Sequence, residues 1–164
     1  MELTQTEALW FFPLVLPICL YVAYTDLSQM RITNPAVMIL TLVFVVFGLV
    51  ALPFDTYLWR LLHLLVVLVV GIILNAVGAM GAGDSKFIAA ASPFVALGDF
   101  RFLMALFAAV LLAAFLAHRL AKISPLRAMA PHWTSWDQGS KFPMGLALGA
   151  CLAIYLGLGL VYGR

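Results

Sequence analysis

Two aspartates are the residues of this sequence whose type and setting best suit chemistry. Asp84 stands in the stretch Gly81-Ala82-Gly83-Asp84-Ser85-Lys86, and Asp26 ends the first long apolar segment. Both lie in a chain that is 65% hydrophobic and only 10% charged. A carboxylate near a membrane core is costly, and its presence there indicates a functional site.

Two carboxylates within hydrogen-bonding distance do not both ionise easily, so they share one proton near neutral pH. One then acts as general base on a water and the other as acid toward a scissile carbonyl, and the pair titrates as a unit. The glycines before Asp84 allow an extended substrate backbone to come close. We therefore predict that Asp26 and Asp84 form one catalytic pair.

The elements that position these residues are membrane helices. A spanning helix needs about 20 apolar residues, and six segments qualify or nearly do, at about residues 8–25, 35–52, 57–77, 84–98, 101–117 and 143–162. The sequence predicts an all-α, polytopic integral membrane protein with about six transmembrane helices. Residues 1–164 are expected to form a single membrane-embedded domain.

The fourth segment is predicted to be too short to span alone. It follows a glycine-rich run, residues 78–83, that is a poor helix former, and its 15 residues give about 22 Å of helix against a hydrocarbon core of about 30 Å. Either Pro93 breaks a re-entrant element, or the glycine loop dips into the membrane and sets Asp84 below the headgroups. We favour the dipping loop, which requires shelter by protein or water.

The remaining polar residues exclude several other classes of site. The charged residues are interpreted as confined to loops, and their net charge of +2 gives no indication of nucleic-acid binding. Cys19 and Cys151 lie singly in apolar segments, so they are interpreted as packing thiols. No metal or other cofactor is expected, because the three histidines lie on different elements, at His63, His118 and His132.

Some polar and aromatic side chains have structural interpretations. His63 and Asn75 are expected to make satisfied polar contacts between helices. Trp133 and Trp136, in the loop between the last two segments, are interpreted as interfacial anchors. The cations of that loop are interpreted as determinants of topology rather than as part of a substrate-binding lid.

Three motifs resemble those of the type IV prepilin leader peptidases. Gly81-Ala82-Gly83-Asp84 with Lys86 fits their G-x-G-D-x-K pattern. Asp26 followed by Arg31-Ile32-Thr33-Asn34 resembles their first-aspartate motif, and Lys141-Phe142-Pro143-Met144-Gly145 resembles their late Pro-x-Gly segment. G-x-G-D alone is shared with presenilin-type proteases, but those have a Tyr-Asp pair inside a helix, whereas Thr25 precedes Asp26 here.

The chain departs from the family pattern in the linker after Asp26. Thr33 stands where the family often has proline, and Pro35 follows Asn34. Longer members insert a cytoplasmic, often cysteine-bearing domain here and add N-methylation of the mature pilin. The linker of nine residues, 26–34, leaves no room for that domain, so the chain resembles the short subgroup associated with Flp/Tad-type pili.

The resemblance implies cleavage of the short basic leader of prepilins or pseudopilins at the cytoplasmic face of the bacterial inner membrane, with pilus assembly machinery as a possible partner. Asp26 and Asp84 are then catalytic, and Gly81 and Gly83 shape the loop. Lys86 has three interpretations: it stabilises developing negative charge, binds a lipid headgroup, or pairs with Asp84. The last two together are favoured.

Alternatives to a peptidase stay open at this level. Asp84 can be a helix N-cap paired with Lys86, and Asp26 a helix-end residue that meets water. A small transporter would use the carboxylates to relay protons or bind a cation, although no inverted repeat is visible. A structural subunit of a pilus or secretion machine would use them to fix helix packing.

The distribution of Lys and Arg predicts the topology. Alternating loops place six cations on one side, at Arg31, Lys86, Arg119, Lys122, Arg127 and Lys141, and three on the other, at Arg60, Arg101 and Arg164. The larger group marks the cytoplasm, so both termini face outward and both aspartates lie at the cytoplasmic margin. The first segment is expected to remain as an anchor, because residues 1–7 carry two glutamates and no Lys or Arg.

Cysteine labelling tests this topology. A thiol introduced in residues 29–33 and another in residues 127–138 should react with a membrane-impermeant reagent only after the cytoplasmic side is opened. Reaction of both thiols from outside intact cells would reverse the assignment.

Overall fold

The structure, a computed structural model, describes residues 1–139 and 141–164. Its α-helices are α1 (Gln5–Gln29), α2 (Asn34–Ala51), α3 (Phe54–Ala76), α4 (Ala82–Ala91), α5 (Phe100–Ile123) and α6 (Met144–Tyr162), with short 3-10 turns at Ser92–Phe94, Leu97–Asp99, Pro125–Met129 and Thr134–Trp136. All of these helices except α4 are long and apolar enough to cross a membrane. The prediction of an all-α polytopic membrane protein with a short fourth segment is confirmed.

The helices run between two ends of one bundle. Both chain ends meet at what we call the terminal end, where the Arg164 N–H donates to the Leu3 carbonyl at 3.3 Å. At the other end, the motif end, the Gly145 N–H donates to Asp26 and Gly83 packs beside Ile32. The three sequence motifs therefore converge at one end of the bundle, away from the termini.

The predicted end of the first helix was wrong by about one turn. α1 continues from Thr25 to Gln29, and Met30 then closes it in the left-handed conformation, at φ 54°, with its N–H on the Asp26 carbonyl. Because the helix continues, Asp26 lies in its last turns and is buried rather than facing water. The non-helical linker to α2 is correspondingly only residues 30–33.

The fourth segment crosses the bundle as a broken helix. The predicted break at Pro93 is present, but the segment does not re-enter on the side where it began. Ala82 and Gly83, which were predicted to be part of the glycine loop, are helical. Beyond Ala91 the chain continues through the two 3-10 turns to Asp99, whose carboxylate accepts the Leu3 N–H at the terminal end. The non-helical backbone at this depth is sheltered, because Pro93 and Phe94 are fully buried.

An aromatic cluster holds the broken helix in place. Phe94 packs edge-on against both Phe11 of α1 and Phe44 of α2, with ring centroids 5.0 and 5.3 Å apart. Tyr57 of α3 stacks on Phe44 at 5.7 Å. Burial of large aromatic side chains is the main source of favourable packing energy at such a junction.

Buried polar groups tie the fourth segment to the terminal end, and the motifs gave no indication of them. Arg60 of α3 donates to Glu7 of α1 at 3.2 Å and to the carbonyl of Pro93 at 3.0 Å. That carbonyl lies in the 3-10 turn that follows α4, so Arg60 satisfies an acceptor that a continuous α-helix would have paired. Asp99 accepts from the hydroxyl of Tyr155 in α6 at 2.9 Å.

Arg60→Met should destabilise the protein strongly, because Glu7 would remain buried without its partner. Breaking a buried ion pair from one side costs about 3 kcal/mol or more. Thermal unfolding in detergent should show a clear loss, while Arg101→Met, at an exposed cation, should change little. If Glu7→Gln combined with Arg60→Met is no more stable than Arg60→Met alone, the unpaired carboxylate is not the cause.

Candidate active site

Asp26 is held by the first turn of α6. The Gly145 N–H donates to Asp26 Oδ2 at 2.5 Å, and Asp26 is 5% exposed. The first N–H groups of a helix have no partner within the helix and carry partial positive charge. Asp26 thus supplies the acceptor that α6 lacks, and α6 in return stabilises the negative charge of this carboxylate.

Glycine at position 145 is required by the closeness of this contact. A Cβ on Gly145 would lie 2.9 Å from Asp26 Oδ2, a distance that real Cβ atoms essentially never show, and 3.0 Å from Asp26 Cβ. Pro143, just before α6, is fully buried. The Pro-x-Gly segment therefore brings α6 against α1 at the carboxylate.

Asp84 is the third residue of α4 and lies in its first turn, rather than at its N-cap. Gly81 is the N-cap, and a Cβ there would lie 2.8 Å from Asp84 Oδ2. The carboxylate of Asp84 therefore folds back over Gly81, toward the positive end of its own helix. Its neighbour Gly83 packs on Ile32, in the linker that follows Asp26, so both carboxylates lie at the motif end.

Lys86 and Gly83 join the G-x-G-D-x-K motif to the first-aspartate motif. Lys86 Nζ donates to Asn34 Oδ1 at 3.1 Å, and a Cβ on Gly83 would lie 3.3 Å from Ile32 Cβ. In the described part of the chain the ion pairs are Arg60–Glu7 and Arg127–Asp137, so the pairing of Lys86 with Asp84, one of the three interpretations of Lys86, is not formed. Asn34 lies within reach of Lys86 because α4 starts beside α2.

An aromatic stack fixes the loop that leads into α6. Trp136 stacks on His118 of α5, with centroids 4.9 Å apart, and on Trp133 at 5.7 Å. Trp133 in turn meets Tyr24 of α1 edge-on. Trp136 is buried, so its prediction as an interfacial anchor is wrong, and it connects α5 to α1 near Asp26 instead.

The other polar residues from the sequence lie outside this site. Asn75 Nδ2 donates to the carbonyl of Met80 just after α3, which is a local loop contact rather than the predicted contact between helices. His63 lines an apolar cavity near α5. Cys19 and Cys151 are free and buried, as expected for packing thiols.

Fold and site together define a multi-pass, all-helical membrane protein with two carboxylates at one end of the bundle. Comparison with known families adds the identification: the model of the type IV leader peptidase family matches residues 14–118. That match covers more than half of the chain, and the chain belongs to this family. It is accordingly a peptidase, and the resemblance stated from the motifs is confirmed.

The matched range contains Asp26 and Asp84 and ends before the Pro-x-Gly segment. No curated protein and no solved structure gave a match. The roles of individual residues therefore come from the geometry of this chain. The sequence motifs did not predict the contact between Gly145 and Asp26. The signal that could have indicated it is the Pro-x-Gly segment at the start of a helix, because the first N–H groups of a helix have no partner within the helix.

Gly145→Ala should lower peptidase activity about tenfold or more, because the added Cβ displaces the carboxylate and weakens a hydrogen bond to a charged group, which is worth about 1.5–3 kcal/mol. Activity per molecule in detergent is the measurement. Gly157→Ala is the matched control on α6, since its Cβ would meet only the edge of the Phe12 ring at 3.3 Å. Equal activity of the two variants would remove Gly145 from the site.

Proposed function

We propose that the protein is an aspartic endopeptidase that removes the short basic leader from prepilins or pseudopilins of the Flp/Tad type. The observation that carries the proposal is the placement of Asp26 and Asp84 at the same end of the bundle, in a chain of the type IV leader peptidase family. Each carboxylate lies at the start of a helix: Asp26 of α1 accepts from the first turn of α6, and Asp84 is part of the first turn of α4.

The hydrogen bonds support distinct roles for the two carboxylates. The Gly145 N–H stabilises Asp26 in its charged form, which suits a general base. Asp26 takes a proton from water, whose oxygen attacks the scissile carbonyl carbon, while protonated Asp84 gives its proton to the carbonyl oxygen. Collapse of the resulting diol breaks the C–N bond. Asp26, now protonated, gives its proton to the departing nitrogen, and Asp84 takes a proton from a hydroxyl of the diol, which restores the starting protonation of both carboxyl groups.

Lys86 is assigned a positioning role in this mechanism. Its hydrogen bond to Asn34 and the close packing of Gly83 on Ile32 fix the start of α4 relative to α2. Gly81 leaves room for the Asp84 side chain. These contacts hold the second carboxylate in one place, which is what a preorganised pair requires.

The substrate class and location are supported by the linker and the charges. Residues 30–33 are the only non-helical residues between α1 and α2, which fits the short subgroup that lacks the inserted cytoplasmic domain. The six cations counted at the motif end favour its location in the cytoplasm of a bacterial inner membrane. There the enzyme meets the leader before assembly by pilus machinery, without a metal or other cofactor in the reaction.

Asp26→Asn and Asp84→Asn should each reduce leader cleavage by about 100-fold or more, which is the scale of a general acid or base. The double variant should be no worse than either single variant, because the two carboxylates act as one unit. The assay is the shift of a prepilin on a gel, normalised to the amount of enzyme in the membrane.

A structural role for the aspartates predicts the opposite pattern in that assay. Asn preserves the size of the side chain and can still accept a hydrogen bond from Gly145, so packing is largely retained. If the aspartates only fix helix packing, protein levels fall and activity per molecule is preserved. Substantial cleavage by Asp84→Asn at normal abundance would refute the aspartic mechanism.

A further inference from the structure

An apolar cavity lies between α3 and α5, on the lipid-facing side of the bundle. It has a volume of about 440 Å³, and its walls come from α3, the fourth segment, α5 and α6. α5 packs mainly on α6, and a gap remains between α5 and α3. The fourth segment forms the inner wall of this gap. We call this cavity the lateral groove.

The lateral groove begins beside the candidate active site. Phe87 and Ile88 in its wall lie one turn beyond Asp84 on α4, and Leu148 lies one turn beyond Gly145 on α6. Its far end is formed by Leu97 and Phe100, close to the terminal end. The groove therefore extends from about one helical turn beyond Asp84 toward the terminal end of the bundle.

The chemistry of the lateral groove suits an apolar helix. Its wall is made almost wholly of aliphatic and aromatic side chains, with His63 and Ser92 among the few polar residues. Its α5 residues extend from Phe100 to Phe107, about 10 Å of helix at 1.5 Å per residue. That length matches two turns of a partner helix, whose side chains at positions i, i+3 or i+4, and i+7 can enter one groove.

We propose that the lateral groove binds the transmembrane helix of the substrate. The inference rests on the proposed function and extends it: a substrate whose apolar helix follows the cleaved bond would place that helix in the groove and its scissile bond at Asp26 and Asp84. The near end of the groove lies about one helical turn from Asp84 and from Gly145, and the groove runs along the bundle from there toward the terminal end. A helix joined to a chain segment at the carboxylates uses this proximity, whereas a lipid does not.

Two substitutions on opposite walls test the proposal by filling the groove. Met104→Trp on α5 and Val66→Trp on α3 change side chains that are 44% and 52% exposed, so folding should be retained. Leu112→Trp and Leu65→Trp are matched controls on the same helices, outside the groove lining and 60% and 56% exposed. The substrates are a pilin-type peptide with its apolar helix and a truncated peptide that ends shortly after the scissile bond.

The expected result is a change in substrate preference. The ratio of kcat/KM for the helix-bearing peptide to that for the truncated peptide should fall about tenfold with the groove variants and stay near the wild-type ratio with the controls. An unchanged ratio in both groove variants, or an equal fall in the control variants, would overturn the proposal.

Photocrosslinking separates this proposal from the proposed function. A photoreactive residue at position 104 should crosslink to the helix-bearing peptide in the full-length protein, and one at position 112 should not. Failure of the wild-type protein to cut any leader peptide would refute the proposed function, and this crosslink would still report helix binding. Crosslinks from position 104 to lipid alone would overturn the helix-binding proposal while leaving leader cleavage intact.

Discussion

The hydrogen bond between the Gly145 N–H and Asp26 is the interaction on which the motif end depends. It satisfies a free donor at the start of α6 and compensates a carboxylate that is buried in an apolar bundle. Since α6 packs along the length of α1, the same contact sets the height of one helix against the other. The remaining parts of the site are arranged around this fixed carboxylate.

The second carboxylate is positioned by a different strategy. Asp84 is carried by a helix too short to cross a membrane, and that helix is held at both of its ends. At the motif end, Lys86 bonds to Asn34. Toward the terminal end, Arg60 bonds to the Pro93 carbonyl and Asp99 bonds to the chain start. The broken helix costs backbone hydrogen bonds, and these buried side chains replace part of them.

The fourth segment also forms one wall of the lateral groove. Its side chains line the groove from Phe87 to Leu97, between those of α3 and α5. The same segment carries Asp84 at its start and buries Phe94 in the core. One interrupted segment therefore supports the second carboxylate and supplies part of the apolar surface beside it.

The sequence by itself determined the class of fold, the six segments and the three motifs, because long apolar runs and punctuating Gly, Pro and Asp residues are local signals. Only the tertiary structure decided that α1 runs past Asp26, that Lys86 bonds to Asn34, and that Trp136 is buried. Those outcomes depend on contacts between residues far apart in the chain, such as Asp26 with Gly145. In an apolar sequence every helix face is compatible with lipid, so the pattern of hydrophobicity does not reveal which faces meet.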